Sequence, residues 1–136
     1  LETFAAEYSN KALGGLAALE VADAAYEAGD HAKAAEYYAM VPGAIENDIL
    51  LGRAKVGLAF ATFYSGETEK GMAQLREIAS DNTLPGAIRA EAAYHLAVDA
   101  DVSGDKTAFE NYAEQVANST AAGQWQQRMQ VYRQQR

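Results

Sequence analysis

The segment AAYEAGDHAKAAEYYAMV, residues 24–41, places a Gly-Asp pair between two stretches rich in alanine and tyrosine. Alanine is the strongest helix former, whereas glycine reaches the left-handed conformation that ends a helix without a steric penalty. An acidic residue directly after the glycine can cap the next helix and stabilise its positive end. The segment therefore predicts two helices joined by a short turn.

The same break recurs twice further along the chain. Gly29-Asp30, Gly66-Glu67 and Gly104-Asp105 follow one another at intervals of 37 and 38 residues. Before each break, apolar residues recur at helical spacing, which is typical of a helix with one buried face. The three stripes are Leu13, Ala17, Val21 and Ala24; Leu50, Ala54, Leu58 and Ala61; and Ala93, Leu96, Ala97 and Ala100. We interpret the chain as three helix-turn-helix repeats in an all-α fold.

This pattern resembles the tetratricopeptide repeat, a helix-turn-helix unit of about 34 residues. With the turn glycines as anchors, the positions that match the family are Ala22, Ala59 and Ala97 in the first helices, and Ala34, Gly71 and Tyr38 in the second. The opening FAAEYSNKALGGLAALEVADAAYEAGDHAKAAEYY also resembles the divergent repeat domains of bacterial envelope proteins, such as the ancillary periplasmic subunit of the Sec translocon. The resemblance implies a right-handed superhelix whose concave groove binds a protein or peptide.

The expected organisation is a single domain over residues 1–136. It has a short N-terminal cap at 1–10, repeats at 11–44, 45–82 and 83–119, and a C-terminal capping helix at 120–136. In the last segment Trp125, Met129 and Tyr132 share one helical face, and no acidic residue follows Glu114. We interpret this segment as a helix that covers the last repeat. The alternative is a basic helix that docks on an acidic neighbour or on a second copy.

Composition excludes several classes of function. The net charge is −8, and the first hundred residues contain no cluster of Lys and Arg, which argues against nucleic acid as a partner. The chain has no cysteine and no apolar run near the length of about 18 residues that spans a bilayer, so we expect no disulfide and no membrane insertion. Because residue 1 is Leu, we expect a processed or excised product. The envelope resemblance implies a periplasmic protein or one anchored to the membrane and facing the periplasm, with a cytoplasmic location left open.

Candidate binding residues follow from the register of the turn glycines, because the first helix of each repeat lines the concave face of such a fold. Phe60, Phe63 and Tyr64 lie within five residues and cannot all point to one side of a helix, so at least one should face a groove or a loop. Arg53 is the only cation on the inferred face, which favours mixed apolar and polar recognition. The candidate set is Asp23, Tyr26, Arg53, Phe60, Phe63, Tyr64, Glu91 and Tyr94.

Catalytic patterns are sparse in the sequence. His95 and Asp99 lie four residues apart and could supply two metal ligands, but two ligands do not make a site. We therefore predict a non-catalytic module for protein–protein interaction that needs no cofactor. The alternatives are a structural module that self-associates through its terminal helices, and a metal-dependent enzyme that uses His95 and Asp99.

Overall fold

The computed structural model describes residues 12–136, and all regular structure in that range is helical. Seven α-helices and one 3-10 turn occur there: α1 (Ala12–Glu27), α2 (His31–Tyr38), the 3-10 turn (Val41–Gly43), α3 (Asp48–Tyr64), α4 (Thr68–Ser80), α5 (Gly86–Ser103), α6 (Lys106–Asn118) and α7 (Gln124–Gln135). The all-α prediction is confirmed over these residues. The cap expected at residues 1–10 lies outside the described range.

The three predicted breaks form the same kind of turn. Gly29, Gly66 and Gly104 have φ angles of 84°, 105° and 83°, in the left-handed region that favours glycine. The amide of the following acidic residue donates to the carbonyl five positions earlier in all three turns: Asp30 to Ala25 at 2.9 Å, Glu67 to Thr62 at 3.2 Å and Asp105 to Ala100 at 2.8 Å. This bond is the mark of the Schellman motif. Each first helix therefore ends by the same mechanism.

Side-chain caps then start the following helices. Asp30 Oδ1 accepts from the amide of Lys33 at 3.1 Å, and Asp105 Oδ1 accepts from the amide of Ala108 at 3.0 Å. Asn47 caps α3 by accepting from two amides, each at 3.0 Å. Pro85 is the N-cap of α5. Its ψ of 146° is extended, so the helix begins at the next residue.

The described chain divides into two compact units, and the boundary between Gln74 and Leu75 falls within α4. In the first unit, α1 packs against α2, the 3-10 turn and α3. Its buried core consists of Ala17, Ala18, Leu19, Ala22, Ala25, Ala34, Tyr38, Val41, Ile45, Ala54 and Ala61. Alanine dominates this core because its small side chain lets helices approach closely.

The apolar stripe expected on α1 is partly wrong. Ala17 and Val21 are buried, but Leu13 is 67% exposed and Ala24 is also exposed. Because α1 is covered by α2 on one side and by α3 on another, its buried face is broader than a single stripe, and Ala18 and Ala25 lie within it. The stripe expected on α5 is confirmed, since all four of its residues are buried.

Two helical glycines mark close approaches in the first unit. A Cβ atom at Gly57 would lie 2.7 Å from the ring of Tyr38, and one at Gly71 would lie 2.8 Å from the carbonyl oxygen of Ala59. Neither position has room for a methyl group. The close packing therefore accounts for glycine at these helical positions despite its cost in helix propensity of about 1 kcal/mol.

In the second unit, α7 packs against both α5 and α6. Trp125 and Met129 of α7 are buried, as are Phe109 and Val116 of α6. Gln115 of α6 donates to the carbonyl of Ala79 at 2.8 Å. The apolar face of the last helix thus lies against the helix pair that precedes it.

Gly71→Ala is expected to lower the free energy of unfolding by about 1 to 2 kcal/mol, although alanine is the better helix former. The added methyl would meet the backbone of α3, which cannot move aside cheaply, and overpacking outweighs the propensity gain. Urea unfolding followed by circular dichroism measures the change. Ala73→Gly, at an exposed position of α4, is the control and should lose about 1 kcal/mol through propensity alone. A Gly71→Ala protein more stable than wild type would contradict the close packing.

Candidate functional site

Asp23 links α1 to α2 and α3. Its carboxylate accepts a hydrogen bond from the hydroxyl of Tyr38 on α2 at 2.5 Å and forms an ion pair with Arg53 on α3. Two residues of the candidate set, Asp23 and Arg53, are therefore partners of each other. Both side chains remain partly open to solvent. The pair presents a fixed, locally neutral polar patch instead of an uncompensated cation.

Tyr38 is held in its protonated form by this arrangement. Its ring is buried against Gly57, and its hydroxyl faces the carboxylate of Asp23. Burial first, and then the hydrogen bond to Asp23, raise the pKa of Tyr38 well above its ordinary value. Ionisation of Tyr38 would place a second negative charge beside Asp23, so the polar contact depends on the phenol remaining neutral.

An aromatic cluster lies where α1 turns into α2, and its members are Tyr26, His31, Phe60, Phe63 and Tyr64. The His31 ring packs edge-on against Tyr26, with centroids 5.0 Å apart, and lies 5.6 Å from Tyr64. Tyr64 also stacks with Phe60 at 6.4 Å and meets Phe63 edge-on at 5.2 Å. Tyr64 is 57% exposed, whereas the other four rings are half-buried. Four residues of the candidate set are thus brought together around one exposed ring.

The three neighbouring aromatics of α3 divide as the sequence requires. Phe63 lies towards α4, because a Cβ atom at Gly71 would come within 2.8 Å of the Phe63 Cβ. Phe60 and Tyr64 share the other flank, since residues four apart lie on one helical face. Tyr64 is the exposed one of the three, and that this ring faces a groove or a loop stays a prediction.

The sequence analysis did not select His31, which the structure places in this cluster. Its Nδ1 atom is buried and has no hydrogen-bond partner among the described residues. The signal lies in the spacing, because Tyr26 and His31 stand on either side of the Gly29 turn and meet across it.

The remaining candidate residues, Glu91 and Tyr94, lie in the second unit on α5. Tyr94 packs on Trp125 of α7 at 5.4 Å and on Tyr132 at 6.4 Å. His95 meets the same indole edge-on at 5.6 Å. The guanidinium of Arg128 lies 4.7 Å above the Trp125 ring. Tyr94 therefore belongs to an aromatic contact between α5 and α7.

Burial shifts the acid–base behaviour of this contact. It lowers the pKa of His95 to about 4, and the nearby Arg128 adds to the decrease. Burial raises the pKa of Glu91, and Arg128 partly opposes that change. Asp99, the second ligand of the metal hypothesis, is exposed. Within residues 12–136, no three His, Asp or Glu side chains are grouped so as to hold a metal ion.

The helices show no membrane-spanning segment over the described range. None between residues 12 and 136 combines the length and the apolar composition that a bilayer crossing requires.

Above about pH 10, the free energy of unfolding should fall as Tyr38 is driven towards ionisation. The pKa of Tyr38 is raised by folding, so its contribution is present below the unfolded value of about 10 and is lost as the pH rises towards the folded value. Urea unfolding between about pH 8 and 11 should show a smaller decline for Tyr38→Phe than for wild type. Tyr37→Phe, which removes the hydroxyl of the neighbouring tyrosine, is the control for loss of a phenol group. Parallel curves for Tyr38→Phe and wild type would contradict the prediction.

His95 should titrate with a midpoint near 4 in the folded protein, against about 6.5 in the unfolded chain. Because folding lowers this pKa, the stability gained from the neutral imidazole is complete above about pH 6.5 and is lost as the pH falls through about 4. Nuclear magnetic resonance of the imidazole signals measures the midpoint directly. Arg128→Gln should raise the midpoint by removing the nearby positive charge. A folded midpoint near 6.5 would show that His95 is not desolvated.

Comparison with known proteins gives no relative from which a role could be transferred. The chain matches no protein-family model, no curated protein and no solved structure. The resemblance to tetratricopeptide repeats therefore rests on the residues that carry it.

Proposed function

We propose that this protein is a non-catalytic interaction module that binds a protein or peptide through its helical repeats. In this proposal, the helix pairs stack as a right-handed superhelix of the tetratricopeptide type, with the first helices lining a concave groove. The aromatic cluster of the first unit is the observation that carries the proposal. The envelope resemblance extends it to a periplasmic protein or one anchored to the membrane.

The aromatic cluster has the physical properties of a binding anchor. Tyrosine is enriched among the residues that contribute most to interfaces, because a rigid ring buries a large area at a small cost in entropy. Tyr64 exposes more than half of its surface while His31, Phe60 and Phe63 hold it from behind. A partner that covered Tyr64 would bury an already ordered ring.

One further exposed apolar residue, Ile49, lies on the same face of α3 as this ring. Ile49, Arg53, Phe60 and Tyr64 follow one another at intervals of four, seven and four residues, which places them along one helical face. Ile49 is 66% exposed. The face therefore runs from an apolar end at Ile49, past the Asp23–Arg53 pair, to the aromatic cluster. Such alternation favours a ligand that presents both apolar and polar groups.

Self-association through the terminal helices is the competing role. Trp125 and Met129 are buried within the second unit, so the largest apolar side chains of α7 are already covered. Light scattering over a concentration series separates the two roles, because a monomer at all concentrations would exclude self-association.

Replacing Tyr64 with the photoreactive residue p-benzoylphenylalanine should capture the partner in an extract of the cells that make the protein. The same residue at position 102 is the matched control, because Val102 is also highly exposed but lies outside the aromatic cluster. Mass spectrometry should identify a protein joined at position 64 and absent at position 102.

The captured partner then allows binding to be measured by calorimetry. Tyr64→Ala should weaken binding by about 1 to 3 kcal/mol, which is the range for interface anchors, and should leave the melting temperature nearly unchanged because the ring is exposed. Equal capture at positions 64 and 102, or unchanged affinity for Tyr64→Ala, would contradict the proposed binding face. Capture of a second copy of the chain would favour self-association.

A further inference from the structure

Arg128 and Arg133 on α7, and Arg136 directly after it, differ in their partners. Arg133 pairs with Glu110 at 3.3 Å, and Arg136 pairs with Asp101 at 2.7 Å. Arg128 is exposed, and over the described range it makes neither a hydrogen bond nor an ion pair; its guanidinium lies on the Trp125 ring. A guanidinium that rests on an aromatic face is oriented by the ring while its N–H groups remain able to donate. Arg128 is therefore the one arginine of α7 whose N–H groups have no acceptor among the described residues.

An open cleft of about 480 Å³ lies beside this arginine, entirely within the second unit. Its lining consists of Tyr94, Gln124, Gln127, Arg128, Val131, Tyr132 and Gln135. The lining contains one cation and no carboxylate. The glutamine amides offer donors and acceptors for a peptide main chain, and the tyrosine rings and Val131 offer apolar surface.

We propose that this cleft binds an extended acidic peptide, with a carboxylate of the peptide held by Arg128. The inference rests on the proposed function as an interaction module, but it concerns a surface separate from the aromatic cluster. The fork of the guanidinium fits a carboxylate through two parallel hydrogen bonds. The glutamines of α7 would bind the peptide groups that flank this carboxylate, and Tyr94 and Tyr132 would receive an apolar side chain.

Charge complementarity selects an acidic occupant despite the acidity of the whole chain. With a net charge of −8, the protein repels acidic peptides in general, so an acidic peptide would bind only at a local positive site. No acidic residue follows Glu114, and Arg133 and Arg136 are neutralised within the second unit. The positive charge of Arg128 acts on the pKa of Glu91. Glu91, however, lies half-buried on α5 and does not line the cleft.

A displayed library of random dodecapeptides, selected on the full chain, tests this proposal without a prior choice of sequence. The affinity of each selected peptide is measured by the emission of Trp125, which is the only tryptophan of the chain and lies beneath Arg128. Selected peptides should be enriched in Asp and Glu. Arg128→Gln should weaken their binding by about tenfold or more, and Arg128→Lys should retain part of it.

Arg133→Gln is the matched control, because it removes an arginine from the same helix outside the cleft, and it should bind like wild type. Peptides without acidic enrichment, an empty selection, or equal binding by Arg128→Gln would overturn the proposal. Selected peptides whose binding depends on Tyr64 and not on Arg128 would overturn it while supporting the proposed function. Self-association of the chain that Arg128→Gln abolishes would show that the occupant is a second copy, which also overturns it.

Discussion

The structure depends on how each first helix ends. A left-handed glycine allows the next amide to turn back and bond the carbonyl five residues earlier, and this bond recurs at Gly29, Gly66 and Gly104. The turn reverses the chain within two or three residues, so the second helix begins at once and packs against the first. A side chain with a Cβ atom would be strained at these φ angles. The positions of the three glycines thus determine which consecutive helices form pairs. The packing of their alanine-rich faces follows from this pairing.

Much of the fold was predictable because it is encoded locally. The turns, the caps at Asp30 and Asn47, and the buried stripe of α5 depend on residues within one or two helical turns of each other. The stripe of α1 failed at Leu13 and Ala24 because the number of helices that cover α1 is a tertiary property. Helical periodicity locates one apolar face, but it does not show that a second neighbour widens that face.

The candidate site was predictable in part for the same reason. The sequence shows three aromatic residues, Phe60, Phe63 and Tyr64, close together on one helix. Helical geometry prevents all three from pointing to one side, and Tyr64 is exposed. The pairing of Asp23 with Arg53 joins residues 30 positions apart, and His31 enters the aromatic cluster by packing across a turn. The ion pair has no local signature, and the contact of His31 is marked only by its spacing from Tyr26 across the Gly29 turn. The register transferred from the turn glycines selected both Asp23 and Arg53, but it could not show that their charges neutralise each other.

The two aromatic clusters supply the polar and aromatic groups that the alanine-rich packing of the helices lacks. An alanine core brings helices close and stabilises them, but it offers few groups that could recognise a partner. Some large aromatic side chains lie at the margins of the helix pairs, as in the cluster around Tyr64 and at Tyr94, whereas Tyr38, Phe109 and Trp125 are buried. Tyr64 and Tyr94 pack on one face and keep part of their surface accessible on the other. In the first unit the adjoining charges of Asp23 and Arg53 neutralise each other, whereas in the second the Arg128 guanidinium lies on Trp125 without an ion pair, so the two margins differ in the charge that each presents.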